Sequence, residues 1–67
     1  MIVKEYCEPF LDKTVDIGVP HHYLDRLFFI TGKLLEVNDD HVIIRKKDGV
    51  RQIQLKDIIE ISLNRED

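Results

Sequence analysis

The sequence predicts a mainly β domain in which a short N-terminal helix precedes five strands of a strongly bent antiparallel barrel. Three observations carry this expectation. Apolar and polar residues alternate with period two in several short runs, as half-buried strands require. A glycine, Gly32, interrupts the longest apolar stretch, Leu27 to Val37, where a strand would need a sharp bend or a close backbone approach. Asp48-Gly49 separates two alternating runs, a strong hairpin signal.

In chain order, residues 2–12 place Ile2, Val3, Tyr6, Phe10 and Leu11 at spacings of one helix face. Pro9 cannot sit inside that helix, so the helix ends near Glu8 or restarts with Pro9 in a first turn. Residues 14–19 alternate, with Val15, Ile17 and Val19 on one side and Asp16 and Gly18 on the other. Pro20 to Arg26 then reads as a loop. After the long Leu27–Val37 strand, Asn38-Asp39-Asp40 form a turn through Asx side chains that satisfy local backbone groups. His41 to Lys46 is the third strand, with Val42 and Ile44 inward. Lys47-Asp48-Gly49 closes a hairpin onto Val50 to Leu55, in which Ile53 and Leu55 face inward and Val50 is out of phase. Lys56-Asp57-Ile58 reads as a single tight helical turn. Ile59 to Leu63 is the last strand, with Ile59, Ile61 and Leu63 in phase, and Asn64 to Asp67 form a frayed polar tail. The helical break between the fourth and fifth strands leaves two edges that do not pair internally, a place for another subunit to add on.

Size limits what such a chain can do. With 67 residues it forms one domain, 1–67, and a domain this short is marginally stable unless stapled or associated. The single cysteine, Cys7, excludes an internal disulfide, and no cluster has zinc-site spacing. Apolar residues amount to 43% of the chain, which favours self-association. No run resembles a signal peptide or approaches the length of a membrane span, and a lone thiol fits a reducing compartment, so the expected location is cytoplasmic. The formal net charge of −3 speaks against a dedicated nucleic-acid binder. Within 41–56, however, Arg45, Lys46, Lys47, Arg51 and Lys56 face Asp48 alone, so one basic region sits on an acidic body. A solvated hairpin surface accounts for the same charges.

The segment TGKLLEVNDDHVII resembles the Sm-like family, which includes archaeal Sm-like proteins and bacterial Hfq. The family carries a glycine on its bent second strand, an aliphatic two residues on, and then an aspartate turn followed by a histidine. Gly32, Leu34, Asp39, Asp40, His41 and Val42 match in that order. The resemblance runs through almost the whole chain and implies a homo-oligomeric ring that binds single-stranded RNA. The departures are specific. The turn is one residue longer than is usual in the family if Asp39 takes the aspartate place; otherwise Asn38 takes it and the third strand runs out of phase. In either register an aliphatic, Ile43 or Val42, replaces the base-reading asparagine. Leu55-Lys56-Asp57-Ile58 stands where the family has an Arg-Gly turn, and the Lys-His pair of Hfq is missing.

The candidate RNA-binding residues are therefore Asp39, His41, Arg45 and Lys47. His41 would stack on an unpaired base with a neighbouring carboxylate or amide orienting it, and the cations would meet phosphate. A solvated strand-turn histidine is the plainer alternative. His21-His22 with Asp25 and Cys7 could be read as a metal site, but adjacent histidines do not readily share one ion, and no metal or other cofactor is expected. The same loop could instead contact a protein through Tyr23 and Leu24. Cys7 on an apolar helix face reads as packed, Ser62 has no histidine near it in sequence, and there is no glycine-rich phosphate loop, so the chain is not expected to be an enzyme. A second class of function remains beside RNA binding. Gln54-Leu55-Lys56-Asp57-Ile58-Ile59 resembles PRC-barrel domains about equally well, which implies a non-enzymatic adaptor recognising protein through an exposed edge.

Overall fold

A computed structural model of the chain describes residues 2–21, 23 and 25–65. Its order of elements is α1 (Lys4–Cys7), a 3₁₀ turn (Glu8–Phe10), β1 (Thr14–Pro20), β2 (Leu27–Val37), β3 (His41–Lys46), β4 (Gly49–Gln54), a second 3₁₀ turn (Leu55–Asp57) and β5 (Glu60–Leu63). Pro9 resolves the N-terminal ambiguity both ways: α1 stops at Cys7, and the proline opens the 3₁₀ turn, where a missing N–H costs nothing. The chain then reverses at Asp12, which has φ of 66°, a left-handed conformation that short polar side chains tolerate. Backbone bonds from Asp12 N to Leu34 O (2.8 Å) and from Leu34 N to Lys13 O (3.0 Å) lead it into β1.

All five strands form one antiparallel sheet in the order β4-β3-β2-β1-β5. β2 is shared along its length: Leu27–Lys33 pair with β1, and Lys33–Val37 pair with β3. The change of partner falls at Lys33, directly after Gly32. A Cβ on Gly32 would lie 2.5 Å from the Arg45 carbonyl oxygen and 2.9 Å from Ile44 Cγ1. A register shift between Leu34 and Glu36 adds a bulge at Leu35, which increases local twist. The bent sheet wraps a core of Val15, Ile17, Ile30, Leu34, Val42, Ile44, Ile53 and Ile61, closed at its ends by Cys7, Leu55 and Ile58.

Several expectations need correction. The sheet does not close: β4 and β5 are its two ends, because β5 is drawn to β1 through the Val15–Leu63 to Gly18–Glu60 ladder rather than to β4. The inward side of the N-terminal segment is Ile2, Cys7 and Phe10, while Val3, Tyr6 and Leu11 are exposed; α1 lasts a single turn with Cys7 inward, and the 3₁₀ turn then changes the angular step ahead of Leu11. The second 3₁₀ turn starts one residue early, at Leu55, and Ile58 rather than Ile59 enters the core. Ile61 alone of β5 is buried; Ile59 and Leu63 flank it on the open edge. Asn64 is held by a backbone bond to Thr14 O (3.0 Å), and the tail's Glu66 and Asp67 lie outside the described residues. Among the described residues, no helix is long and apolar enough to cross a membrane.

Two glycines separate two kinds of constraint. Gly32→Ala drives a methyl into backbone and should cost about 1–3 kcal/mol in urea unfolding. Gly49 has φ of 137° with nothing within 4 Å of its would-be Cβ, so Gly49→Ala should also lower the urea midpoint, here through the backbone alone.

Candidate nucleic-acid interface

The β2–β3 turn is built by backbone first. Asn38 N bonds His41 O at 2.8 Å, and Leu55 N bonds Asp40 O at 2.9 Å, so the turn is anchored to the end of β4. Val42 and Ile44 of β3 face inward, so His41, Ile43 and Arg45 face the other side.

On this frame the His41 ring is held at both nitrogens. Nδ1 lies 2.6 Å from Asp40 Oδ1, and Nε2 lies 3.0 Å from Asn38 Nδ2. The amide nitrogen can only donate, so Nε2 accepts and Nδ1 carries the proton given to Asp40. With 23% of its side chain exposed, the imidazole is oriented at a part-covered site rather than free in solvent. A carboxylate and an amide thus both contact the ring.

Asp39 does something else. Its Oδ1 accepts from Lys4 Nζ at 2.7 Å, tying the turn to α1. The Lys4 ammonium, by hydrogen bond and then by charge, holds the Asp39 carboxyl below its usual range, and Asp39 raises Lys4 in return. Arg45 is exposed on the outer side of β3, directly opposite Lys33 of β2 and Val50 of β4. Lys47 lies with Asp48 in the two-residue β3–β4 turn, where Lys46 approaches Asp48 at 3.9 Å. The four expected residues thus do not converge. His41 and Arg45 share one face of β3, about 13 Å apart along the strand, while Asp39 belongs to a helix tether and Lys47 to the hairpin tip. Arg51 is separated from Arg45 as well: it pairs with buried Ile44, on the other side of the sheet.

That inner side carries a hollow of about 480 Å³ between the free edge of β4 and the ends of β1 and β2. Val19, Phe28, Ile30 and Ile53 form its apolar part, with Arg51 and Gln52 at β4. His21 stands beside it, its Nδ1 accepting from the Tyr23 backbone N–H at 3.1 Å and its ring 6.3 Å from that of Phe28. Of the other residues singled out in this loop, Asp25 is exposed, and His22 and Leu24 lie outside the described residues. Cys7 is fully buried, and burial pushes its thiol pKa up, so it belongs to the core. Among the described residues, no three His, Cys, Asp or Glu side chains group as metal ligands do.

Sequence reasoning missed Lys4 and Lys33. The Lys4–Asp39 contact spans 35 positions, and the Lys33–Arg45 opposition depends on the β2–β3 register; neither leaves a local pattern. Comparison with family models gave no match, and comparisons with curated proteins and with solved structures gave none either.

Because Asp39 has a depressed pKa in the folded state, its tether to Lys4 is complete above the unfolded carboxylate pKa of about 3.9 and is lost as pH falls through the lower, folded value. Following the Asp39 carboxyl carbon by NMR should show a titration midpoint that moves up in Lys4→Met.

Proposed function

We propose that the chain is a non-enzymatic Sm-like subunit that assembles edge to edge into a homo-oligomeric ring and binds single-stranded RNA along its β2–β3 side. The observation that carries this reading is the pair of unpaired edges left by the order β4-β3-β2-β1-β5. Each edge exposes a row of backbone donors and acceptors, which folded proteins normally cover, blunt or pair. Here both carry exposed aliphatics instead: Val50 at 65% on β4, Ile59 at 54% before β5 and Leu63 at 47% on it. β4 of one copy pairing with β5 of the next is a head-to-tail contact, which closes into a ring when the rotation permits. It would also supply the burial that 67 residues lack. Repetition of a weak RNA contact around the ring would then raise avidity without new chemistry. The RNA part of the reading rests on His41, an oriented and partly exposed imidazole of the kind on which an unpaired base stacks.

A second reading is favoured by the hollow beside β4. Its apolar lining next to an open edge suits an extended segment of another protein, with main-chain bonds to the edge and a side chain in the hollow. That adaptor role, PRC-barrel-like, needs no nucleic acid.

Purification without nuclease separates the two. A ring by native mass spectrometry with a high 260-to-280 nm absorbance ratio supports the first reading; a clean monomer or dimer supports the second. The double variant Ile59→Lys/Leu63→Lys should reduce the native mass to a single chain while keeping the far-ultraviolet circular dichroism, since both side chains are exposed in the isolated subunit. His41→Ala should weaken binding of single-stranded RNA by about 1–3 kcal/mol without unfolding the protein; equal binding by the variant would remove the stacking role.

A further inference from the structure

One register line crosses the sheet through Thr14, Lys33, Arg45 and Val50. Directly opposed residues on neighbouring strands project to the same side. The neighbours Leu34 and Ile44 are fully buried, so this line lies on the outer, solvent side. Lys33 and Arg45 are therefore two cations facing each other across adjacent strands, an arrangement that destabilises a sheet unless something compensates. No acid within the chain does so among the described residues: Asp39 pairs with Lys4, Asp48 with Lys46, and Asp40 accepts from the His41 ring. Asp12 lines a hollow together with Lys33 but makes no ion pair with it, and the acids on the outer side of β1 and β2 are otherwise placed. Asp16 accepts from the Thr31 hydroxyl and from Asn64 Nδ2, and Glu36 stands beyond the Leu35 bulge, opposite Ile43.

We propose that Lys33 and Arg45 form a phosphate-binding pair for the backbone of single-stranded RNA laid along the outer face of β3. The proposal rests on the RNA reading above and adds to it a site the sequence did not disclose. The guanidinium offers a planar fork of N–H donors to two phosphate oxygens, and the ammonium adds a compact charge beside it. An arriving phosphate turns the repulsion between the two cations into attraction from both. The same strand face presents Ile43 and, at its far end, His41, so a strand following β3 meets an apolar side chain and an oriented ring beside its phosphates. An acidic peptide would satisfy the cations but has no use for the ring.

The test is the salt dependence of binding, measured by fluorescence anisotropy with the full chain and a fluorescein-labelled single-stranded RNA. Each cation removed from a phosphate contact should flatten the slope of log K against log salt by about 0.7, so Lys33→Gln/Arg45→Gln should flatten it by about 1.4. Lys33→Arg should keep the wild-type slope. Lys33→Glu places opposite charges across the strands and should raise the melting temperature while weakening RNA binding, an opposition that a purely structural lysine would not produce. If wild type binds RNA and the double variant keeps the same slope, the phosphate pair is overturned and the RNA reading stands. If wild type binds no RNA, both fall. If polyglutamate binds as tightly as RNA and is lost with the same substitutions, the surface belongs to an acidic peptide and the proposal is overturned.

Discussion

The rest of the structure depends on the close approach of β2 to β3 at Gly32. Backbone meets backbone there with no room for even a methyl group, and that contact lets one long strand serve two partners in succession. Without it, the β1 and β3 ladders would lie in one flat sheet, and Ile17 and Ile30 could not share a core with Val42, Ile44 and Ile53. The bulge at Leu35 leaves one residue out of the ladder and adds local twist to the same strand. The bend also brings the carbonyl of Arg45 over Gly32, which sets the register that opposes Arg45 to Lys33.

Bending without closure has a consequence for stability. A closed barrel satisfies its own edges, whereas this sheet ends in β4 on one side and a four-residue β5 on the other. The core inside the bend is wholly apolar, with no buried polar or charged residue among those described. What is left exposed is backbone at two edges and aliphatic side chains beside them. Those features account for both functional readings, a ring of copies or capture of a foreign strand, because each supplies the same missing hydrogen bonds and burial.

The outer side obeys a different logic. Its charges are spread by strand register and not by burial, and they are mostly in contact with water. His41 is locked by two neighbours in sequence, Lys4 reaches Asp39 across most of the chain, and Lys33 meets Arg45 with no acid between them. Local chemistry thus explains the histidine, whereas only the register explains the two lysines.

Period-two alternation was enough to place β1, β3 and β4 and to choose Val15, Ile17, Val42, Ile44 and Ile53 for the core, because inward and outward positions of a strand are encoded one residue apart. Gly32 marked the bend for a similarly local reason: a strand-interior residue without a side chain signals a close approach. The failures came where the period changes or the pattern has no partner. The single turn of α1 aims Cys7 inward and leaves Val3 and Tyr6 outside, the 3₁₀ turn leaves Leu11 exposed, and β5 kept its phase while Ile59 and Leu63 stayed exposed. Residue order alone determined the strands, the bend and an oriented histidine in an Asx turn. Tertiary structure decided that the sheet stays open, that Asp39 belongs to Lys4, and that Lys33 stands opposite Arg45, since each of these is a pairing between residues far apart along the chain.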